Sequence, residues 1–239
     1  MIKVDKNNPN KVDYWNLRYQ SKNWEEMKGK LQTEYWANLI LENLPEDVVS
    51  NIKEEKLSIA DVGCALGQLT SIFAKKFPKS NIDGIDFSDV AARMATELYP
   101  SLDFIEGKLN DNYDCVVVSN VLEHDDDYMQ TIKEHLKFVD KYYIVLSPFN
   151  ESAEKIVSEH VVVFDSQNDF PEEIDGFNRI FIKEIDVRSS GFWHGDMILV
   201  IYEKKVEEKI EEEIKIKVEE EVKQEVTKKK FGRPKKTKK

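Results

Sequence analysis

At 239 residues the chain has room for one domain of about 200 residues with a true core plus an appendage, and two full domains would be cramped. Its formal charge of −11 is uneven: residues 203–239 carry 14 basic and 10 acidic side chains, which leaves −15 on residues 1–202. A body so acidic repels phosphate, so affinity for nucleic acid is expected only from the tail.

No run of about 18 apolar residues occurs, and Met1-Ile-Lys-Val-Asp5 lacks the apolar stretch of a secretory signal, so a cytoplasmic location away from membranes is expected. Cys64 and Cys115 lie in apolar segments without C-x-x-C spacing and read as buried thiols.

In chain order, residues 12–44 read as helical, with Tyr14, Trp15, Tyr19, Trp24, Tyr35, Trp36, Leu39, Ile40 and Leu44 among polar positions, and Pro45 closes the segment. Short apolar runs follow at Leu57–Val62, Asn81–Asp86, Leu102–Ile105, Asp114–Val118 and Tyr142–Leu146, separated by helix-like stretches. That alternation predicts a parallel sheet wrapped by helices. Two more β-rich stretches, Asn178–Val187 and Asp196–Tyr202, are joined only by Arg188–Gly195, too few residues for a crossover helix, so they are expected to pair antiparallel. The expectation is an α/β fold with a seven-stranded, mostly parallel sheet, an antiparallel last strand and helices on both faces. Residues 1–202 form the domain, with 1–50 a helical lid region and 51–202 the core, and residues 203–239 are a charged tail.

The first strand runs through Ile59-Ala60-Asp61-Val62 into the glycine-punctuated turn Gly63-Cys64-Ala65-Leu66-Gly67 and then a helix. Gly63 permits torsions that other residues resist, and Gly67 lets the helix start close to strand and ligand. Such a turn also suits dinucleotides. Asp61 separates the two readings, because a carboxylate at this strand tip repels a pyrophosphate but favours an adenosyl ligand bearing an ammonium and a sulfonium. Ile85-Asp86-Phe87-Ser88 places a second carboxylate 23 residues beyond Gly63, near the roughly 20-residue spacing of an acid that binds ribose hydroxyls. Taken singly, the glycines also suit an ordinary turn, and Asp86 a helix cap.

Together, Asp61-Val-Gly-Cys-Ala-Leu-Gly67, Ile85-Asp-Phe-Ser88 and Tyr113-Asp-Cys-Val-Val-Val-Ser-Asn-Val-Leu-Glu-His124 resemble the first, second and fourth motifs of class I S-adenosylmethionine-dependent methyltransferases. The resemblance covers roughly residues 12–202, and the antiparallel ending is similar to that family's strand order. It implies a Rossmann-like fold with S-adenosylmethionine as cofactor. Asp61, Gly63, Cys64, Ala65 and Gly67 would surround the methionine moiety, Asp86 would bind the ribose, Phe87 would lie beside the adenine, and Asn120 would contribute from the fourth strand. The chain departs from the family after the third strand, where Glu106-Gly-Lys-Leu109 replaces the frequent Gly-Asp-Ala, leaving the backbone around Leu109 as the adenine partner.

Methyl transfer requires in-line alignment and, for weakly acidic acceptors, a base. His124 is the base candidate, with an unperturbed pKa of about 6.5; its alternative role is to orient the loop. Glu123 is expected to hold that loop or orient His124. A Glu-x-x-Glu-His cluster with a distant histidine would resemble the metal site of small-RNA 3′-terminal methyltransferases, but Asn120 occupies the place of the first Glu, so no metal is expected. Leu146-Ser-Pro-Phe-Asn150 and Glu159–Phe164 resemble the region after the fifth strand in bacterial small-molecule and glycan methyltransferases. Pro148 is expected to stop that strand, with Phe149 lining the acceptor pocket beyond it and His160 as a second base candidate. Asp13–Tyr19 with Trp24 resembles an N-terminal lid in which Trp15, Arg18 and Tyr19 close over donor and acceptor; the alternative is an amphipathic helix packed on the sheet.

In the tail, Val206, Ile210, Ile214, Val218, Val222 and Val226 recur every fourth residue. On a helix that line drifts by roughly 40° per step and forms no straight heptad seam, so a solvated helix or a disordered segment is expected. Lys228–Lys239 resembles an AT-hook in which Phe231 replaces the first Arg; a plain polybasic arm is the alternative.

The functional expectation is methyl transfer to an oxygen or nitrogen of a small metabolite or sugar. One alternative is a nucleic-acid methyltransferase recruited through the tail, although Ser119-Asn-Val-Leu122 stands where amino-methylating DNA enzymes carry Asp/Asn-Pro-Pro-Tyr/Phe. The other is a binding protein that keeps the fold without the activity.

Overall fold

The computed structural model describes residues 11–151 and 159–205. The chain divides at Lys204/Lys205, so the expectations for the Lys/Glu repeat and the AT-hook-like end lie outside the described residues. Among the described residues no helix is long and apolar enough to cross a membrane.

The expected N-terminal helix is three: α1 (Val12–Gln20), α2 (Asn23–Glu26) and α3 (Gly29–Asn43). Lys22 and Lys28 break it by adopting left-handed torsions, φ 62° and 63°. The breaks let the Trp24 ring fold back onto Gly29, where a Cβ would come within 2.2 Å of it. Helix α4 (Glu46–Glu55) starts directly after Pro45, whose fixed φ suits a helix start.

The strands are β1 (Ile59–Val62), β2 (Ile82–Asp86), β3 (Asp103–Glu106), β4 (Tyr113–Ser119), β5 (Val139–Phe149), β6 (Glu173–Ile174), β7 (Phe177–Asp186) and β8 (Asp196–Lys204), with α5 (Gln68–Lys76), α6 (Asp89–Leu98) and α7 (Tyr128–Leu136) between them. They form one sheet in the order β3-β2-β1-β4-β5-β8-β7-β6. The first five strands run parallel, and β8 lies antiparallel between β5 and β7. Eight strands stand where seven were expected. The extra one, β6, is a two-residue edge joined to β7 through Asp175-Gly176, both at positive φ, and two residues are too few to show a period in sequence.

A second departure is at Pro148, which does not end β5 but pairs with Met197 of β8. The pairing of β4 with β5 ends at Ser119↔Leu146, and the Leu146 carbonyl accepts from Asn120 N–H on the β4 side. Alternation turns Pro148 towards that same edge, past the end of β4, where no N–H is needed.

Side chains alternate between two cores. Ile59, Cys115, Val117, Ile144 and Leu146 pack with α3, α4 and α5; Ala60, Val62, Val116, Val118 and Val145 pack with α7, Phe164 and Phe170. The strand order reverses between β1 and β4, which opens a crevice at their carboxyl ends, the ligand position of open α/β sheets.

Candidate active site

The turn after β1 is built by glycines and braced by a carboxylate. Gly63 has φ +79°, and a Cβ there would meet Val121 Cγ2 at 2.4 Å; Gly67 has φ +80°, and a Cβ would meet the Phe104 ring at 2.6 Å. Asp86, at the tip of β2, accepts from the N–H groups of Ala65 and Ser88, both at 2.9 Å. This holds Ala65 in a left-handed conformation, φ 50°. Asp61 accepts from the Thr70 hydroxyl at 2.6 Å. Burial pushes Asp61 up to about 7, against the Thr70 bonds, and Asp86 up to about 6. A buried carboxylate that costs this much to ionise favours a cation beside it. Gln68, first in α5, is 1 % exposed, and neither amide atom has a hydrogen-bond partner. Phe87 is 40 % exposed at the same edge.

Helix α1 lies over this turn. Tyr19 packs with Ala65, Leu66, Val90 and Ala91, and Asn16 hydrogen-bonds Asp89 at 2.7 Å and Ser88. Burial, with Asp86 and Cys64 close by, raises the Tyr19 pKa well above its ordinary value.

Beside it, Asn120 takes φ 55° at the end of β4, and a short 3-10 turn, Leu122–His124, follows. Val161 and Val162 donate to the Glu123 carbonyl at 2.9 and 3.2 Å, which fastens the segment after β5 to this turn. His124 Nδ1 lies 2.9 Å from the Glu159 carbonyl; a carbonyl only accepts, so Nδ1 carries the proton and Nε2 presents its lone pair. Burial pulls His124 down to about 4. Its Nε2 is 3.9 Å from Glu123 Oε1. Glu123 is 1 % exposed with neither carboxyl oxygen hydrogen-bonded, and burial pushes it up to about 8. His160 Nδ1 lies 2.8 Å from Glu151 Oε2.

Aromatic rings enclose these groups. Trp15 stands edge-on to His124 at 5.2 Å, His124 meets His160 at 5.1 Å, and His160 meets Trp193 at 5.4 Å. Arg18 pairs with Glu159 at 3.2 Å while its guanidinium lies 5.1 Å from the Trp15 ring, and Tyr14 donates to the same carboxylate.

Residues 60–139 match a family model described as a methyltransferase domain. Over those residues the chain is a methyltransferase domain. The cofactor of that family is S-adenosylmethionine. Among curated proteins, the chain is similar to malonyl-[acyl-carrier protein] O-methyltransferases of Halalkalibacterium halodurans, 29 % identical over 94 residues, and Priestia megaterium, 30 % over 95 residues. These stretches cover 34 % and 37 % of this chain and 35 % of each relative, so the match spans about a third of those relatives' own length. Among solved structures, the plantazolicin methyltransferase BamL, determined in complex with a triazolic desmethylPZN analog and SAH, superposes with a TM-score of 0.57 at 12 % identity, covering 83 % of this chain and 96 % of that one; a likeness at that identity concerns the fold.

The methyltransferase domain fits its cofactor at the turn after β1. Gly63 and Gly67 leave two places where no Cβ could stand, the buried amide of Gln68 lacks a partner, and two buried carboxylates face the same turn. The structure brings Asp61, Gly63, Cys64, Ala65, Gly67 and Asp86 together there, with Phe87 on the rim, and gathers Trp15, His124 and His160 beside it. The placement of Phe149 corrects an expectation: because β5 continues through Pro148, Phe149 stands in the strand and not in a loop beyond it, on the same face as Tyr143 and Val145, 2 % exposed in the core. The Leu109 side chain is buried in that core too. Gln68, Glu151 and Trp193 were not singled out from the sequence. Gln68 directly follows the second glycine of the motif, and Trp193 sits in a stretch whose length alone had been weighed.

Proposed function

We propose that this protein transfers the methyl group of S-adenosylmethionine to an oxygen or nitrogen of a small metabolite or sugar. When bound, the cofactor supplies an electrophilic methyl on cationic sulfur with a neutral thioether as leaving group. Asp61, Gly63, Cys64, Ala65 and Gly67 hold its methionine end, while Asp86, Phe87 and the backbone at Leu109 hold the adenosine. Asn120 closes the turn from β4. Trp15, Arg18 and Tyr19 act as the lid. His124 positions the acceptor and takes up a proton only transiently, because its lowered basicity makes it a poor proton store at neutral pH. Alignment carries most of the rate.

The observation that supports a small acceptor is the closure of the His124 side. Trp15, the Glu159 carbonyl and His160 meet the His124 ring, Arg18 backs Trp15 and Glu159, and Trp193 packs on the His160 ring beyond, and burial of this kind suits a ligand enclosed on several sides. The reading is tested by incubating the full chain with methyl-labelled donor and separate pools of hydroxylated metabolites, sugars, amines and A·T-rich DNA. Label passing to a small acceptor is expected; label entering only the nucleic acid would overturn it.

A further inference from the structure

Beyond methyl transfer, we propose that Glu123, His124 and His160 bind a first-row divalent transition cation. The three residues come from the 3-10 turn after β4 and from the segment after β5, and each offers one ligand atom within 4.8 Å of the others. Proximity of such groups is by itself common; the hydrogen bonds around them make this set different.

Both imidazoles have one ring nitrogen held by an acceptor. His124 Nδ1 donates to the Glu159 carbonyl and His160 Nδ1 to the Glu151 carboxylate. Each bond fixes the tautomer in which Nε2 carries a lone pair, and a metal-binding histidine characteristically has its second ring nitrogen held by a carbonyl or carboxylate in this way. Between them, Glu123 is buried to 1 % with both carboxyl oxygens lacking any hydrogen-bond partner. A carboxyl group so placed is costly unless something satisfies it. A cation does so directly.

The backbone also holds the set in place. The Glu123 carbonyl takes the N–H groups of both Val161 and Val162, on the heels of His160, so the two ligand-bearing segments are fastened at the site itself. Two imidazoles with one carboxylate suit zinc, iron, cobalt or manganese better than magnesium, which prefers oxygens and retained water. Three protein ligands leave a position for water or an acceptor oxygen, and while the cation is bound the His124 Nε2 lone pair is engaged, so its transient proton uptake belongs to the metal-free protein alone. The absence of a second acidic residue at Asn120, which argues against a metal from sequence, is offset by Glu151 acting from the outer shell.

The test needs no methyl donor. The full chain, freed of any affinity tag and treated with chelator, is titrated with Co2+ and followed by its visible absorption and by nitrogen-15 spectra of the histidine side chains. One equivalent is expected to give ligand-field bands and to broaden His124 and His160 while sparing His135, which bonds Tyr143 on another face. Glu123→Gln and His160→Ala should each weaken binding by about 100-fold, and Glu151→Gln by about tenfold. Absence of a stoichiometric Co2+ complex of the unaltered chain, or broadening confined to other histidines, would overturn the proposal, whether or not the variants fold. Loss of methyl transfer with Co2+ binding intact would count against the proposed activity alone.

Discussion

The two halves of the cleft are made in opposite ways. On the donor half, backbone does the shaping: two glycines at positive φ, Ala65 held by Asp86, and strand tips set by the sheet, all within residues 61–88. On the other half, side chains do it, and they come from residues 15–18, 123–124, 159–160 and 193. Local backbone geometry tolerates little change at one atom, whereas an assembly of side chains can lose one member and relax.

The largest effect is expected where that contrast is sharpest. Gly63→Ala places a methyl 2.4 Å from Val121 Cγ2 at φ +79°, combining left-handed strain of about 1–2 kcal/mol with overpacking of about 1–3 kcal/mol. A thermal unfolding midpoint lowered accordingly, with donor binding lost in calorimetry, is the expected outcome. Binding within a few-fold of the unaltered chain would break the comparison.

Next comes ionisation at the donor half. Asp61 titrates near 7 and Asp86 near 6, both above the ordinary carboxylate value of 3.8. The folded state therefore holds protons that the unfolded chain releases, so their contribution is fully present below about pH 4 and is lost as pH rises through 7. For Asp61 the loss is on the order of 4 kcal/mol. Asp61→Asn keeps the shape and removes the titration, so its stability relative to the parent should rise by that order between pH 4 and 8, read from unfolding midpoints in matched buffers. Parallel curves for the two proteins would sink the assignment. A cationic ligand beside Asp61 favours its charged form, so donor affinity should increase from pH 5 to 8.

How far the sequence could be read follows the same division. Strand β1, its glycines and Asp86 lie within one short stretch, so the glycine turn after β1 and the strand order were legible. Phe149 and Pro148 were misread because the end of β5 depends on where its neighbour β4 stops, a fact of pairing that no local pattern carries. Gly84 shows the same limit: it admits the Phe104 ring, which a Cβ would meet at 2.5 Å, and neither residue announces the other. The meeting of His160 with His124 depends on a tether between backbone groups 38 and 39 residues apart, Glu123 with Val161 and Val162.

A smaller effect is expected from Arg18→Ala. Arg18 is partly buried, pairs with Glu159 and lies against Trp15, so its removal strips both charge and packing and should cost about 1–3 kcal/mol. Hydrogen exchange should quicken in residues 11–20 and 159–162 while residues 63–67 keep their protection. If the glycine turn opened to the same extent, the two halves would be one cooperative unit and the contrast drawn above would fail.

The smallest effect concerns the strand that carries the second half. Pro148 turns its ring nitrogen to the edge that β4 has already left, so Pro148→Ala restores an N–H that has no ladder partner to find and only frees the unfolded chain. A loss under about 1 kcal/mol is expected, read as a slight fall in the denaturation midpoint. Proline two residues earlier, in Leu146→Pro, is the contrasting case: Leu146 faces β4 across the last paired step of that ladder, and the missing N–H and ring clash should cost about 3 kcal/mol or more. Similar costs at the two positions would mean that β5 is held equally along its length, and that its last residues do not depend on β8 alone.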